Sequence, residues 1–314
     1  MAKFAGGSTY NFALSGNQAN GFFIPEIYSK KVQIALRKAA VAEAVCNTDY
    51  MGEISSFGDT VNIIKEPQIA VADYTRGLAV TSTDLTDQEL VLTVDQAKSF
   101  SFKIDDLEKR FSHVNFQAIA ADNAAYALRD AMDSNILAAI SAGATATTGM
   151  GTTSTPIDIG FGSGEVDPLN QMALAAKELD EANAPEDGRW FVAAPEWYNA
   201  LSNSASKLLS VDFNAGQGSI RNGLVASGLL RGFSMYKSNN LPTNDLSGAT
   251  PSGSATAPEA LFGHMSSTAA ASSMNKVETV RDTDTFSDIV RGLMVWGRKV
   301  LRPEVAGKII YTID

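Results

Sequence analysis

The amino-acid sequence predicts an α+β fold, and three patterns carry that prediction. Residues 57–104 alternate apolar and polar side chains with the period of two that is typical of half-buried strands. Residues 107–141 repeat apolar side chains at spacings of three and four, which indicates one long helix. After residue 167, shorter helix and strand patterns alternate. With 314 residues, of which 45% are hydrophobic, the chain can bury a sizeable core.

The ionisable side chains limit the functions that the protein can have. Asp and Glu outnumber Lys and Arg by 35 to 25, which gives a net charge of −10. Because phosphate contacts need clustered basic residues, this balance argues against a nucleic-acid reader. The chain has one cysteine, Cys46, and two histidines, His113 and His264. It therefore cannot form an intrachain disulfide, and a zinc site of Cys and His ligands is nearly excluded.

The first 49 residues divide into an arm and a helix. Residues 1–23 are rich in Gly, Ser, Asn and Ala, so they cannot build a core and are predicted to be disordered or to lie on a neighbour. A helix is predicted from Pro25, with Ile27, Ile34 and Val41 at heptad spacing. No segment has the apolar length of a signal peptide or a membrane helix, so we expect a soluble protein made in a reducing cytoplasm.

The strand patterns of 57–104 predict a long two-stranded projection. Its first arm begins near Val61, and its second arm alternates from Leu90 to Ile104. Residues 73–84 between the arms are polar and would form a loose tip. Because an isolated hairpin is marginal in water, the projection packs on its own domain or on another subunit, and the periodicity favours the first.

The long helix is predicted to begin after Asp105 and Asp106, whose carboxylates suit a first helical turn. It would end at Gly143, and residues 107–141 alone would span about 50 Å. A helix of this length predicts a flat or elongated subunit with a spine, and a central helix in a large α/β domain is the alternative.

Shorter elements follow along the rest of the chain. A helix is predicted from Pro168 and another from Pro195, each with proline in its first turn. Residues 143–166 and 243–258 have the small polar composition of surface loops. Strands are predicted at 189–194, 232–238, 260–263, 276–280, 289–300 and 309–313.

No catalytic or cofactor motif is complete. Residues 160–165 begin like a dinucleotide loop, but Glu165 occupies the third glycine position. Residues 282–288 begin like a calcium loop, but Phe286 falls where an oxygen ligand belongs, which favours a polar turn. Cys46 follows apolar neighbours and is predicted to be buried, and His264 is predicted to be structural. We expect no enzyme activity, no cofactor and no metal.

Four stretches, together with the order of the parts, resemble the major capsid proteins of tailed bacteriophages with the Hong Kong 97-like fold. They read FKIDDLEK at 102–109, ADNAAYALRDAMD at 121–133, GFSMYKSNNLP at 232–242 and DIVRGLMVWGRKV at 288–300. The resemblance implies five parts. They are an N-terminal arm (1–23), an N-terminal helix region (24–49), an extended β-hairpin loop lying over a neighbouring subunit (50–104), a peripheral domain with the long spine helix (105–166 and 265–314), and an axial domain (167–264).

The resemblance also implies a function. Such proteins assemble as hexamers and pentamers into an icosahedral shell around double-stranded DNA, in the virion, after assembly in the host cytoplasm. The expected partners are other copies of the chain, a portal, where present a decoration protein, and non-specifically contacted DNA, with no membrane. An arm that ends by residue 23 has no room for a scaffolding domain, so a separate scaffolding protein is expected. An encapsulin-type compartment shell and an α/β enzyme are the alternatives.

The arm and the projection are the parts that need neighbours under this interpretation. Intersubunit contacts are therefore expected from side chains in these two segments. They are Phe12, Phe22, Phe23, Tyr74, Arg76, Leu78, Asp84 and Asp87.

Overall fold

A computed structural model describes most of the chain from residue 37 onward. The described residues are 37–38, 40–52, 60–65, 69, 71, 73, 76–77, 88–106, 116–145, 149–203, 220–221, 224–225, 230–245 and 256–313. The predicted arm, the helix start at Pro25 and most of the projection's tip lie outside them. So does His113.

Four α-helices are present in the described residues. They are α1 (Ala42–Val45), α2 (Phe116–Gly143), α3 (Pro168–Glu181) and α4 (Pro195–Leu201). The predicted start of α3 is confirmed, because the Asp167 side chain accepts a hydrogen bond from the backbone N–H of Leu169 and Pro168 is the first helical residue. Short 3₁₀ turns occupy Asp49–Gly52, Met265–Ser267 and Pro303–Val305.

Fifteen strands complete the described fold. They are β1 (Thr60–Lys65), β2 (Gln88–Thr93), β3 (Gln96–Asp105), β4 (Ile157–Asp158), β5 (Arg189–Ala193), β6 (Ile220–Arg221), β7 (Leu224–Val225), β8 (Ser234–Lys237), β9 (Thr243–Asp245), β10 (Thr256–Pro258), β11 (Ala260–His264), β12 (Thr268–Arg281), β13 (Ser287–Val300), β14 (Ala306–Ile309) and β15 (Tyr311–Thr312).

The main core lies around a four-stranded sheet in the order β14-β11-β5-β8. Strand β5 runs parallel to β8 and antiparallel to β11, and all five of its residues are buried. Phe191 on β5 contacts Trp197 of α4 and Phe233, with ring centroids 5.4 and 5.9 Å apart. Helix α3 contributes Leu169 and Met172 to the same cluster. The predicted α/β character of this region is confirmed.

A second sheet has three strands in the order β12-β13-β3. The first two strands form a hairpin of 14 residues each, with a bulge between Ser272 and Met274. One face packs against α2 through Met294 and Trp296. The other face is covered by β2 near Val295 and Gly297. The two backbones approach so closely there that a Cβ atom built on Gly297 would lie 2.5 Å from the Thr93 carbonyl oxygen.

The projection is only partly as predicted. Strands β1 and β2 pair antiparallel, with Thr60 opposite Thr93 and Lys65 opposite Gln88. The prediction that the second arm continues to Ile104 is wrong, because β3 pairs with β13 instead. The physical reason is that period-two alternation fixes which face of a strand is buried but not which strand lies beside it.

The long helix is present, with its C-terminal half buried. Helix α2 has 28 residues and spans about 42 Å, and residues 107–115 lie outside the described part. Ile136, Leu137 and Ile140 are fully buried, whereas side chains from Ala118 to Arg129 are exposed or half-buried. The first-turn prediction for Asp105 is wrong, since Asp105 ends β3.

Candidate assembly surfaces

The β1–β2 ribbon has one covered face and one open face. Ile63 and Leu90 are cross-strand partners that pack on the Leu92 and Val295 cluster. The next residue, Ile64, points to the opposite face and is 78% exposed. Val91 shares that outer face and is 41% exposed. The ribbon therefore presents two exposed apolar side chains, Ile64 and Val91, among polar residues on its outer face.

Further exposed apolar side chains follow β1 along the chain. Ile69 and Val71 are 72% and 97% exposed. Arg76 lies in an exposed turn with Gly77, whose φ of +93° favours glycine. Arg76 is the one predicted contact residue that the structure describes. The other seven lie outside the described residues: Phe12, Phe22, Phe23, Tyr74, Leu78, Asp84 and Asp87.

Sequence reasoning missed Ile64, Val91, Ile69 and Val71 as contact candidates. A signal for the first was available, because two adjacent isoleucines in an alternating strand must point to opposite faces. If Ile63 is inside, Ile64 is outside.

The far end of the β12–β13 hairpin is a second exposed surface. Its outer face carries Val280 and Leu293, which are 39% and 36% exposed. Glu278 binds Arg291 on the facing strand of the same hairpin. The turn carries Phe286, which is 81% exposed.

Ion pairs hold the hairpin turn and the strands beside it. Lys103 of β3 binds Asp282, which also accepts a hydrogen bond from the Thr285 hydroxyl at 2.6 Å. The Lys103 ammonium and this hydroxyl hold the pKa of Asp282 well below its usual range. Arg281 binds both Asp106 and Asp288. The predicted polar turn is confirmed. The Asp282 carboxylate oxygens bind Lys103 and the Thr285 hydroxyl.

A buried ionic cluster joins α2 to two strand regions. Glu259 is 3% exposed, and its carboxylate accepts hydrogen bonds from Ser141 of α2 and from the Asn244 amide of β9. Lys308 of β14 lies 3.5 Å from the same carboxylate. These contacts tie α2 to β9 and β14 through one buried carboxylate.

Cys46 and His264 have structural roles, as predicted. Burial raises the pKa of the Cys46 thiol to about 12, so the reactive thiolate is suppressed. The His264 ring accepts a hydrogen bond at Nδ1 from the Ser266 backbone N–H and donates from Nε2 to the Asp187 carbonyl oxygen, 2.8 Å away.

Clefts open on the surface of the described residues. One has a volume of about 410 Å³ and lies beside α2 between Tyr126, Asp130 and Asn240. Another, about 220 Å³, lies against the loop of Glu165. Within the described ranges, no three His, Cys, Asp or Glu side chains are grouped as metal ligands, and no helix is long and apolar enough to cross a membrane.

Comparison with known proteins assigns this architecture to a class. The family model described as phage capsid protein matches residues 87–309. A structure from Mycobacterium phage Che8 is 30% identical, with a TM-score of 0.78 over 93% of this chain and 98% of that chain. The capsid of cyanophage P-SCSP1u is 22% identical, with a TM-score of 0.71 over 97% and 100% of the two chains. The mature capsid of bacteriophage PhiM1 is 16% identical, with a TM-score of 0.69 over 97% of each. Among curated protein sequences none matches.

These findings define the class as a structural subunit of a viral capsid with the Hong Kong 97-like fold. The family match covers most of the chain and favours a phage capsid over a cellular compartment shell or an enzyme. The chain belongs to the phage capsid protein family and is a major capsid protein of the tailed-phage type.

Proposed function

We propose that this major capsid protein builds its icosahedral shell from hexamers and pentamers that enclose double-stranded DNA. The observation that supports this most directly is the open outer face of the β1–β2 ribbon, where Ile64 and Val91 stay exposed. A subunit that worked alone would gain by covering these side chains. In a shell, the neighbouring copy covers them.

The parts of the chain take the roles expected from the resemblance. Residues 1–23 are the arm, 24–49 the N-terminal helix region and 50–104 the extended loop that lies on a neighbour. Residues 105–166 and 265–314 form the peripheral domain around α2, and 167–264 form the axial domain. The pairing of β3 with β13 supports a loop rooted directly in the peripheral sheet.

Further partners belong to the same proposal. A separate scaffolding protein, a portal and, where one is present, a decoration protein take part in assembly in the host cytoplasm. The DNA is contacted without sequence preference. A net charge of −10 supports weak contact, because tight binding of phosphates needs clustered cations. No catalytic step is part of this role.

Electron microscopy of the purified protein tests the proposal. We expect closed shells made of hexamers and pentamers, formed alone or with a scaffolding protein. A monodisperse monomer or dimer under all assembly conditions would overturn it.

Deletion of residues 73–84 tests the role of the extended loop separately. We expect the shortened chain to lose shell assembly while the far-ultraviolet circular dichroism and the melting temperature of the subunit stay unchanged. A deletion protein that assembles normally would contradict the proposed role of the loop.

A further inference from the structure

The buried cluster around Glu259 brings an amine and an amide to one carboxylate. Glu259 is 3% exposed, and its Oε1 atom accepts a hydrogen bond from the side-chain amide nitrogen of Asn244, Nδ2, at 2.9 Å. The Lys308 ammonium, Nζ, lies 3.5 Å from the same oxygen. The two nitrogen atoms therefore meet at a single atom that can accept and donate protons.

Strand pairing brings these three side chains together. Glu259 lies between β10 and β11, and its backbone N–H donates to the Pro242 carbonyl oxygen at 2.9 Å. Asn244 lies on β9, which pairs with β10, and Lys308 lies on β14, which pairs with β11. The carboxylate thus stands at the junction of two strand pairs and receives one side chain from each. The backbone, rather than a loose side chain, sets this meeting.

Ser141 of α2 fixes the orientation of the carboxylate. Its hydroxyl donates to Oε2 of Glu259 and accepts from the Lys308 ammonium at 3.5 Å. Ser141 is itself buried. With Oε2 bound by the hydroxyl, Oε1 stays directed at the two nitrogen atoms. A carboxylate in this position can take a proton from one nitrogen and give it to the other, as a general base and then a general acid.

We propose that Lys308 and Asn244 form an intrachain isopeptide bond, and that Glu259 carries the protons. The bond joins Nζ of Lys308 to Cγ of Asn244. It ties the β9–β10 pair covalently to β14 of the four-stranded sheet. The proposal concerns the folded subunit and does not depend on the proposed function.

The steps balance without a cofactor or a co-reactant. The Lys308 ammonium gives a proton to Oε1 of Glu259, and burial favours this transfer because two charges become two neutral groups. The free amine then attacks Cγ of Asn244, and a C–N bond forms. The attacking nitrogen loses a second proton, Nδ2 gains one, and the bond from Cγ to Nδ2 breaks. Ammonia leaves with the remaining proton as ammonium, Glu259 ends as a carboxylate, and no atom is oxidised or reduced.

The folded chain favours this reaction in two further ways. Folding has already brought the amine and the amide together, so the bond forms within one molecule and no further association is needed. The Lys308 side chain is 27% exposed, which gives the departing ammonia a route to solvent.

Mass spectrometry of the denatured, intact subunit tests the proposal. We expect the chain to be lighter than its sequence mass by one ammonia molecule, whether or not shells have formed. A chain that keeps its full sequence mass after long incubation in the folded state would overturn the proposal. The measurement uses the unchanged chain, so it does not depend on the folding of any variant.

Tryptic mapping locates the lost ammonia. Trypsin should fail to cleave after Lys308, and the peptide that contains Lys308 should stay joined to the peptide that contains Asn244. Closure of Asn244 on its own backbone as a succinimide also releases ammonia. A mass deficit confined to the Asn244 peptide, with normal cleavage after Lys308, would identify the succinimide and overturn the isopeptide assignment. A covalent dimer on a denaturing gel would place the bond between chains and overturn its intrachain character.

Conservative variants assign the roles of the side chains. Lys308→Arg keeps the positive charge and removes the amine, and Glu259→Gln keeps a similar shape and removes the proton carrier. Both should have their full sequence mass. Lys177→Arg, at an exposed ion pair on α3, is the matched control and should keep the ammonia deficit. A deficit that persists in Lys308→Arg would overturn the bond, and joined peptides in Glu259→Gln would overturn the role of Glu259.

Discussion

Strand β5 and the β1–β2 ribbon both carry apolar side chains on their two faces, yet only β5 is covered on both. On β5, Phe191 contacts Trp197 and Phe233 and is fully buried. On the ribbon, Ile63 is half-buried while its neighbour Ile64 is 78% exposed. The first region folds on its own chain's contacts. Under the proposed function, a neighbouring copy supplies the contact that the second lacks.

The same contrast divides α2. Its C-terminal half carries Ile136, Leu137 and Ile140 into the core, and Ser141 joins the buried Glu259 cluster. Its N-terminal half carries Asp122, which binds Arg37, and Tyr126, whose hydroxyl accepts a hydrogen bond from the Lys38 backbone N–H. One helix therefore connects a region fixed by apolar burial to a region fixed by polar contacts.

The largest expected effect comes from a substitution in the core around β5, the region that the chain covers by its own contacts. Phe191→Ala removes a fully buried ring and should lower the free energy of unfolding by about 3–5 kcal/mol. Urea unfolding of the unassembled subunit measures this change. Phe286→Ala, at the 81% exposed turn, is the control and should leave the unfolding midpoint unchanged. Equal losses in the two variants would show that the core does not lie around β5.

Substitutions at Ile63 and Ile64 compare the two faces of one strand with the same chemistry. Ile63→Ser removes partly buried surface and should cost about 1–3 kcal/mol of subunit stability. Ile64→Ser should leave the melting temperature unchanged and yet reduce shell formation, because only the neighbour would cover this side chain. Thermal unfolding and electron microscopy measure the two properties. Normal shells from Ile64→Ser would mean that the outer face is not an intersubunit contact.

Local patterns predicted the elements better than they predicted the partners of those elements. The Asp167-Pro168 signal located the start of α3, and alternation located the buried face of β3. The pairing of β3 with β13 could not be predicted, because it joins residues nearly 200 positions apart through a choice among several apolar strands. Asp133 was visible as a carboxylate within the apolar stripe of the helix. Its hydrogen-bond partners, the backbone N–H groups of Val41 and Ala42, 92 and 91 residues away, were not.

The smallest expected effect is a local response of the hairpin turn to acid. In the folded chain the pKa of Asp282 lies below its ordinary value of 3.8, mainly because of Lys103 and then the Thr285 hydroxyl. A carboxyl group whose pKa is lowered by folding adds stability above its unfolded value and loses it as the pH falls towards the folded value. The turn should therefore loosen below about pH 4. Hydrogen-exchange protection factors in 282–286, measured from pH 6 to pH 3, should fall in the unchanged chain. They should be low and nearly independent of pH in Asp282→Asn. A turn whose protection stays constant down to pH 3 in the unchanged chain would show that apolar contacts, rather than these charges, hold this end of the sheet.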